Sequence, residues 1–197
     1  MAMGNHLVAT GLAGHAVGPI DFTVEGGQCL AVTGKSGSGK SLLLRMVADL
    51  MPHQGSCSLD GALASAMPAP QWRQLVRYVA AEPGWWTHMV EDHFSDPAFF
   101  AAQAKQLGLA SSLGRAAPER LSTGERQRAA ILRAIEHQPK VLLLDEPSSA
   151  LDEASTLKLE ALIRALMQEG LAVILVSHNP DQVARLATKR LTIGETP

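Results

Sequence analysis

The feature that most constrains this fold is a glycine-rich stretch at residues 34–41, which reads GKSGSGKS and matches the pattern GxxxxGK[ST] in full. An apolar run at 28–33 precedes it and a helix-like stretch at 41–50 follows it. Between a strand and a helix, such a loop turns its backbone N–H groups inward on a phosphate. A chance match is expected in about one chain of this length per hundred. The stretch therefore predicts a phosphate loop (residues 34–41) in an α/β fold.

The rest of the chain alternates strand-like and helix-like segments, which is typical of an α/β fold with a mostly parallel sheet. Between residues 83 and 120, aromatic, alanine and turn residues replace this pattern and indicate a small helical subdomain. We expect one domain over 1–197, with a nucleotide-binding core formed by 1–82 and 121–197. The predicted strands are 28–33, 55–60, 76–80, 141–144 and 172–176, and the predicted helices are 41–50, 71–76, 123–137, 153–168 and 180–187.

The composition excludes several classes of protein. With 17 basic and 19 acidic side chains and a formal net charge of −2, the chain lacks the basic surface of a nucleic-acid-binding protein. No signal-peptide pattern and no apolar run of roughly 18 residues is present, which predicts a cytoplasmic protein. Cys29 and Cys57 lack metal or redox spacing and are expected to be buried and reduced. His88 and His93 do not share a helix face, which argues against a metal site there.

The residue types within the phosphate loop fit a nucleoside triphosphate. Its glycines let backbone N–H groups approach the phosphates closely. Lys40 is suited to neutralise the β- and γ-phosphates, and the Ser41 hydroxyl is suited to hold Mg²⁺. The predicted nucleotide-binding residues of this loop are Gly34, Lys35, Ser36, Gly37, Ser38, Gly39, Lys40 and Ser41.

Two adjacent carboxylates, Asp145 and Glu146, follow the apolar run 141–144. The carboxyl end of a buried parallel strand is where α/β folds bind their ligands. Asp145 is therefore expected to hold Mg²⁺, and Glu146 to accept a proton from an attacking water. The alternative interpretation is a pair of carboxylates that caps the next helix.

Residues 121–125 read LSTGE and form the signature segment of this chain. Ser122 followed by Glu125 is a capping box, which by itself explains why a helix begins here. A helix N-terminus with a free hydroxyl and a glycine N–H is also suited to bind an anion. The two interpretations are compatible.

Together these motifs resemble those of the ATP-binding subunits of ABC transporters, over almost the whole chain. The signature segment stands where that family usually has LSGGQ. The motifs occur in the family's order: the phosphate loop, LSTGE at 121–125, LLLDEP at 142–147, SALD at 149–152, and a serine and histidine at 177–178.

The resemblance implies an ATPase of two chains packed head to tail around two ATP molecules. Ser122 and Gly124 would then meet the γ-phosphate held by a second copy or a related ATPase subunit. Asp152 resembles the residue that crosses this interface, and it is also a suitable N-cap for the helix at 153–168. His178 resembles the residue that contacts the γ-phosphate and orients the attacking water, although a histidine at a strand end also has a purely structural interpretation. Lys40 and Glu146 complete the implied catalytic set.

The resemblance also implies the family's N-terminal antiparallel β subdomain and a separate transmembrane permease subunit. The chain would then lie on the cytoplasmic face of the membrane, bound through that partner. Only residues 179–197 follow His178, so the C-terminal regulatory domain of some importers is not expected. The transported substrate and the direction of transport are not indicated.

Two features depart from the family pattern. Ala81 stands where the family usually has a glutamine that touches Mg²⁺, and Glu82 is the neighbouring candidate to replace it. No aromatic residue other than histidine lies upstream of Phe22 to stack on adenine, and His15 is the nearest substitute. Nucleotide affinity is therefore expected to be weak, or base selectivity loose.

Trp85, Trp86 and Met89 follow the altered position 81, in the region where the family receives a cytoplasmic helix of the membrane subunit. We expect at least one tryptophan to face a partner, the alternative being that both belong to the core of the helical subdomain. Two other functions stay open. One is an ABC-type ATPase in a complex that does not transport, and the other is a nucleotide-binding module with little hydrolysis.

Overall fold

The computed structural model describes residues 5–15 and 17–194, so the ends of the predicted 1–197 domain lie outside the described residues. No helix in these two ranges is both long and apolar enough to cross a membrane. The strands are β1 His6–Gly14, β2 Val17–Glu25, β3 Cys29–Thr33, β4 Gln54–Leu59, β5 Ala62–Leu63, β6 Val76–Val79, β7 Val141–Asp145, β8 Ala172–Val176 and β9 Lys189–Thr192. The α-helices are α1 Lys40–Val47, α2 Ala69–Leu75, α3 Pro97–Gln103, α4 Thr123–Ile135, α5 Glu153–Gln168 and α6 Pro180–Leu186.

The larger sheet is parallel throughout, with strand order β6-β7-β8-β3-β9. All five residues of β7 and all five of β8 are buried, which explains their continuous apolar sequence. In each of the four neighbouring strand pairs, the carboxyl ends of the two strands lie side by side. The segments that follow β3, β7 and β8 therefore leave the sheet at the same edge. This arrangement brings distant motifs together.

The smaller sheet is antiparallel, with strand order β2-β1-β4-β5. The pairing of β1 with β2 changes register twice, between Ala9 and Leu12 and between Leu12 and Gly14. This sheet is the predicted N-terminal antiparallel β subdomain. The predicted fold class is therefore confirmed, although the sequence did not locate β1, β2, β5 or β9.

Two apolar cores lie on opposite faces of the parallel sheet. In β7, Leu142 and Leu144 belong to the core shared with α4, α5 and the 83–120 segment, whereas Val141 and Leu143 belong to the core shared with α1 and the antiparallel sheet. Cys29 and Cys57 are buried and unpaired, as predicted. Burial raises the pKa of both thiols to about 12, so neither is a reactive thiolate near neutral pH.

The segment at 83–120 is built mostly of single turns. Helix α3 is its one α-helix, and its Asp96 N-cap accepts a hydrogen bond from the Ala98 N–H. Phe94, which lies before the helix, packs against Phe99 and Phe100 of α3. The remaining turns are 3-10 helices at Glu91–His93, Ala104–Leu107, Ser111–Arg115 and Pro118–Arg120.

Candidate functional site

Most of the predicted phosphate-binding and catalytic residues line one cavity of about 290 Å³, whereas Gly34, Lys35 and Ser38 do not line it. Lys40 and Ser41 begin α1 after β3, Asp145 and Glu146 end β7, and His178 follows β8. The cavity is lined by Ser36, Gly37, Gly39, Lys40, Ser41, Leu42, Asp145, Glu146, Val176 and His178. Residues more than 130 positions apart in the chain therefore share one site.

The phosphate loop holds its helix N-terminus open. Gly39, the N-cap of α1, has φ 92 and makes no side-chain capping bond, and the first turn of α1 carries no acidic residue. A side chain at position 39 would overlap Cγ2 of Val17. The N–H groups and the positive end of the helix are thus free for an anion.

The Lys40 side chain is folded inside the phosphate loop and is only 7% exposed. Its Nζ donates hydrogen bonds to the carbonyl oxygens of Gly34 and Lys35, both at 2.9 Å. The positive charge is therefore held at the centre of the loop, where it faces the same cavity as the carboxylates.

Asp145 is fixed by two donors from different elements. Its Oδ1 accepts from the Ser41 hydroxyl at 3.0 Å, and its Oδ2 accepts from the Tyr78 hydroxyl at 2.9 Å. Asp145 is only 3% exposed. Burial is the main cause that raises the pKa of Tyr78, so the phenol keeps its proton and acts as a donor. Sequence reasoning missed Tyr78.

Glu146 and His178 face each other across the ends of β7 and β8. Glu146 has a left-handed φ of 49 and its N–H donates to the Val176 carbonyl at 2.9 Å. Its Oε2 accepts from the His178 N–H at 3.2 Å, and its Oε1 lies 3.4 Å from His178 Nε2. Oε1 is buried without a hydrogen bond. This oxygen is therefore available to accept a proton.

The signature segment does not line this cavity. The Ser122 side chain accepts from the Glu125 N–H at 3.2 Å, while the Ser122 N–H and hydroxyl both donate to Glu125 Oε2 at 2.8 Å. These bonds lower the pKa of Glu125, the backbone N–H of Ser122 contributing most. The predicted capping box is confirmed.

Gly124, in the first turn of α4, packs against the loop that leads to Asp152. A Cβ at Gly124 would stand 2.8 Å from the Ala150 carbonyl oxygen and 3.1 Å from Leu151 Cδ2. Asp152 is exposed and caps α5, accepting from the Ser155 N–H at 2.6 Å. That hydrogen bond is the main cause that lowers the pKa of Asp152. The capping interpretation of Asp152 is thereby confirmed.

The end of β6 is held by helix α4. Gln127 Nε2 donates to the Ala80 carbonyl at 3.2 Å, and its Oε1 is buried without a hydrogen bond. Ala81 is half-buried and Glu82 is exposed. His15 is exposed with φ 49 and borders a separate cavity of about 530 Å³, next to Pro52 and His53.

Two aromatic residues after Ala81 differ in exposure. Trp86 is 72% exposed, whereas Trp85 packs against the core. The Arg133 guanidinium lies 4.7 Å and 4.8 Å from their ring centroids. Burial, and to a smaller extent the charge of Arg77, lowers the pKa of Arg133 to about 10.

His93 holds this aromatic turn through hydrogen bonds to its backbone. Its Nε2 accepts from the backbone N–H of Trp86 at 2.8 Å and of Thr87 at 3.1 Å. Burial lowers the pKa of His93, so the ring is neutral. Within residues 5–15 and 17–194, no group of three or more His, Cys, Asp or Glu side chains is placed to hold a metal ion.

A phosphate loop, two carboxylates at the end of a buried strand and a histidine just after the neighbouring strand together define a nucleoside triphosphatase of the phosphate-loop class. The family model described as "ABC transporter" matches residues 17–149. The chain belongs to this family, and it is an ATP-binding ATPase of the ABC transporter type.

Individual relatives agree with this assignment. The probable iron export ATP-binding protein FetA of Escherichia coli K12 is 34% identical over 186 residues, 87% of this chain and 83% of FetA. The thiamine import ATP-binding protein ThiQ of the same organism is 32% identical, over 88% of this chain and 80% of ThiQ. A solved dimeric ATP-binding cassette, bound to ADP and Pi after hydrolysis, has a TM-score of 0.84 at 19% identity, covering 95% of this chain and 94% of that one. This last likeness is one of fold.

Proposed function

We propose that the chain works as one of two ATPase subunits that pack head to tail around two ATP molecules and drive a separate transmembrane permease. The observation that carries this proposal is the division of the site residues. Lys40, Glu146 and His178 share one cavity, whereas Ser122 and Gly124 do not line it. A second copy, or a related ATPase subunit, would supply those two residues to complete the site.

We infer that Mg²⁺ accompanies the nucleotide. The Ser41 hydroxyl and the Asp145 carboxylate lie 3.0 Å apart and are the hard oxygen ligands that Mg²⁺ prefers. Mg²⁺ typically takes only one or two such ligands and completes its shell with water and substrate phosphates. When bound, it would neutralise charge on the phosphates.

The remaining chemistry falls to side chains of this chain. Lys40 and the open N–H groups of the phosphate loop would bind and orient the β- and γ-phosphates. Glu146 Oε1 would accept a proton from the attacking water, whose oxygen forms the new bond to phosphorus as the bond to ADP breaks. His178, held beside Glu146 by its own N–H, would orient that water.

The permease would bind near Trp86 and Met89, which are 72% and 43% exposed. Large apolar side chains at a surface are typical of a protein interface. Binding there would hold the chain on the cytoplasmic face of the membrane. One named relative is an import protein and the other a probable export protein, so these likenesses assign neither substrate nor direction.

The test is the variant Glu146→Gln, which keeps the shape of the side chain and removes the proton acceptor. Phosphate release should fall by about 10²- to 10⁴-fold, and a dimer should accumulate with Mg²⁺ and ATP in size-exclusion chromatography. Lys40→Ala is the control, since it should neither bind ATP nor dimerise. A Glu146→Gln chain that binds ATP and stays monomeric would contradict completion of the site by a second copy.

The same measurement distinguishes the second candidate, a nucleotide-binding module with little hydrolysis. Ala81 in place of a glutamine and the lack of an aromatic residue upstream of Phe22 favour it, whereas Glu146 argues against it. Wild-type phosphate release no faster than that of Glu146→Gln would support this alternative over the ATPase.

A further inference from the structure

We propose that Tyr78 is a positioning residue of the hydrolytic site, which holds the Asp145 carboxylate in the orientation needed beside Ser41. This inference rests on the proposed function, because it assigns to Tyr78 a task in the same reaction. The hydroxyl belongs to β6, the strand after which the family pattern has a glutamine, at position 81.

The two hydrogen bonds on Asp145 lock its carboxylate from both sides. Ser41 on α1 donates to Oδ1 and Tyr78 on β6 donates to Oδ2, at 3.0 Å and 2.9 Å. Rotation about the terminal bond of an aspartate is otherwise soft and nearly two-fold. With both oxygens engaged, a rotation breaks two hydrogen bonds of a side chain that is only 3% exposed.

The strand register brings the tyrosine to this point. In the parallel pair of β6 and β7, Tyr78 lies opposite Leu143 and Val79 lies opposite Leu144. The long phenol then reaches the carboxylate at the end of β7. The Ala80 carbonyl, just after β6, accepts a hydrogen bond from Gln127 of α4. This bond fixes the end of β6 next to β7.

Ala81 gives this hydroxyl its importance. The alanine side chain has no polar atom, so position 81 offers nothing to a metal or to its waters. Of residues 78–81, Tyr78 is the residue whose side chain donates to the carboxylate at the site. We therefore infer that the Tyr78 hydroxyl is the polar group that β6 supplies to the site.

The first experiment is Tyr78→Phe in the full chain, which deletes only the hydroxyl. The Mg²⁺ concentration that half-saturates nucleotide binding should rise by about three- to tenfold, the size expected for the loss of one ordinary intramolecular hydrogen bond. Binding of ATP in excess EDTA should be unchanged. Phosphate release at limiting Mg²⁺ should fall, and excess Mg²⁺ should restore part of it.

The control is Thr188→Val, which also removes a hydroxyl but far from Asp145. Thr188 Oγ1 accepts from the Cys29 N–H at 2.9 Å and donates to the Cys29 carbonyl at 3.1 Å. If Tyr78 merely joined two strands, both variants would lose stability and keep the wild-type Mg²⁺ dependence. That outcome would overturn the proposal, whereas a wild-type chain without hydrolysis would overturn the proposed function instead.

A second readout needs no catalysis. Tyr78 is the single tyrosine of the sequence, so incorporation of 3-fluorotyrosine gives one ¹⁹F resonance. We expect this resonance to move when Mg²⁺ is added to the ATP-bound Glu146→Gln chain, and not when ATP is added in EDTA. An identical resonance under both conditions would contradict contact between Tyr78 and the metal-binding carboxylate.

Discussion

Helix α1 begins at Gly39 without a side-chain cap, whereas helix α4 begins at Ser122 inside a closed capping box. The first turn of α1 carries no acidic residue, and that of α4 carries Glu125. Both N-termini stand where a phosphate is expected. Only the first has its N–H donors and its positive helix end free of local partners.

The difference indicates two kinds of phosphate contact. At the α1 terminus, the backbone N–H donors have no side-chain cap to release before they meet a phosphate. At α4, the Ser122 hydroxyl already donates to Glu125 Oε2 at 2.8 Å, and it must exchange that bond to face a phosphate. The α1 end is therefore suited to hold ATP, and the α4 end to respond once a second chain brings ATP close.

The largest expected effects come from adding one methyl group at each terminus. Gly39→Ala should abolish ATP binding and lower the free energy of unfolding by about 2–3 kcal/mol, because its φ is left-handed and the methyl overlaps Val17.

Gly124→Ala should cost about 1–2 kcal/mol of stability, keep ATP binding and reduce hydrolysis. Urea unfolding and fluorescent-nucleotide titration measure both. If monomeric Gly124→Ala lost ATP binding, the proposed difference between the N-termini of α1 and α4 would be contradicted.

A smaller effect is expected from Glu125→Gln, which removes a negative charge at the α4 terminus. Glutamine preserves the capping-box geometry, so the fold should be unaffected. A phosphate would no longer be repelled by the charge of Glu125, and the hydrogen bond that competes for the Ser122 hydroxyl would be weaker. Phosphate release should rise by about two- to fivefold, given the usual size of helix-terminus charge effects. Ser122→Ala is the matched control: it should lose about 1 kcal/mol of stability and hydrolyse more slowly. A slower rate in Glu125→Gln would mean that the carboxylate assists catalysis.

The smallest effect concerns acid stability. The Ser122 N–H and hydroxyl lower the pKa of Glu125 in the folded chain, so its contribution to stability is present above the unfolded value of about 4.3 and is lost as the pH falls through the folded pKa. Wild type should therefore lose stability more steeply than Glu125→Gln below about pH 4.3. Urea unfolding at several pH values tests this, with Glu119→Gln, an exposed residue of the preceding turn, as control. Parallel curves for wild type and Glu125→Gln would contradict it.

Elements with strong local signals were predicted accurately. Helix α5 and strand β8 cover the predicted 153–168 and 172–176, because an N-cap aspartate and a continuous apolar run depend on neighbours in the sequence. The cavity residues could also be predicted, since parallel strands place their carboxyl ends at one edge. Helix α1 instead ends at Val47 rather than residue 50, because Asp49 adopts a left-handed φ of 53.

What the sequence missed depends on distant pairing. Strand β9 is short and charged. It forms by pairing with β3, where Lys189 and Arg190 lie opposite Leu30 and Ala31. Strands β1 and β2 are interrupted by register shifts that blur their alternation. The hydrogen bond from Tyr78 to Asp145 depends on the register of β6 against β7, which no local pattern encodes.

The close contact at Gly124 also limits which second mutations could restore a chain that carries a larger residue at position 124. Its nearest neighbour is the main-chain oxygen of Ala150, at 2.8 Å from the place a Cβ would take. Every residue type at position 150 carries that same oxygen. No replacement of the Ala150 side chain can therefore make room for a larger residue at 124, and a suppressor must instead shift the main chain of the loop that leads to Asp152.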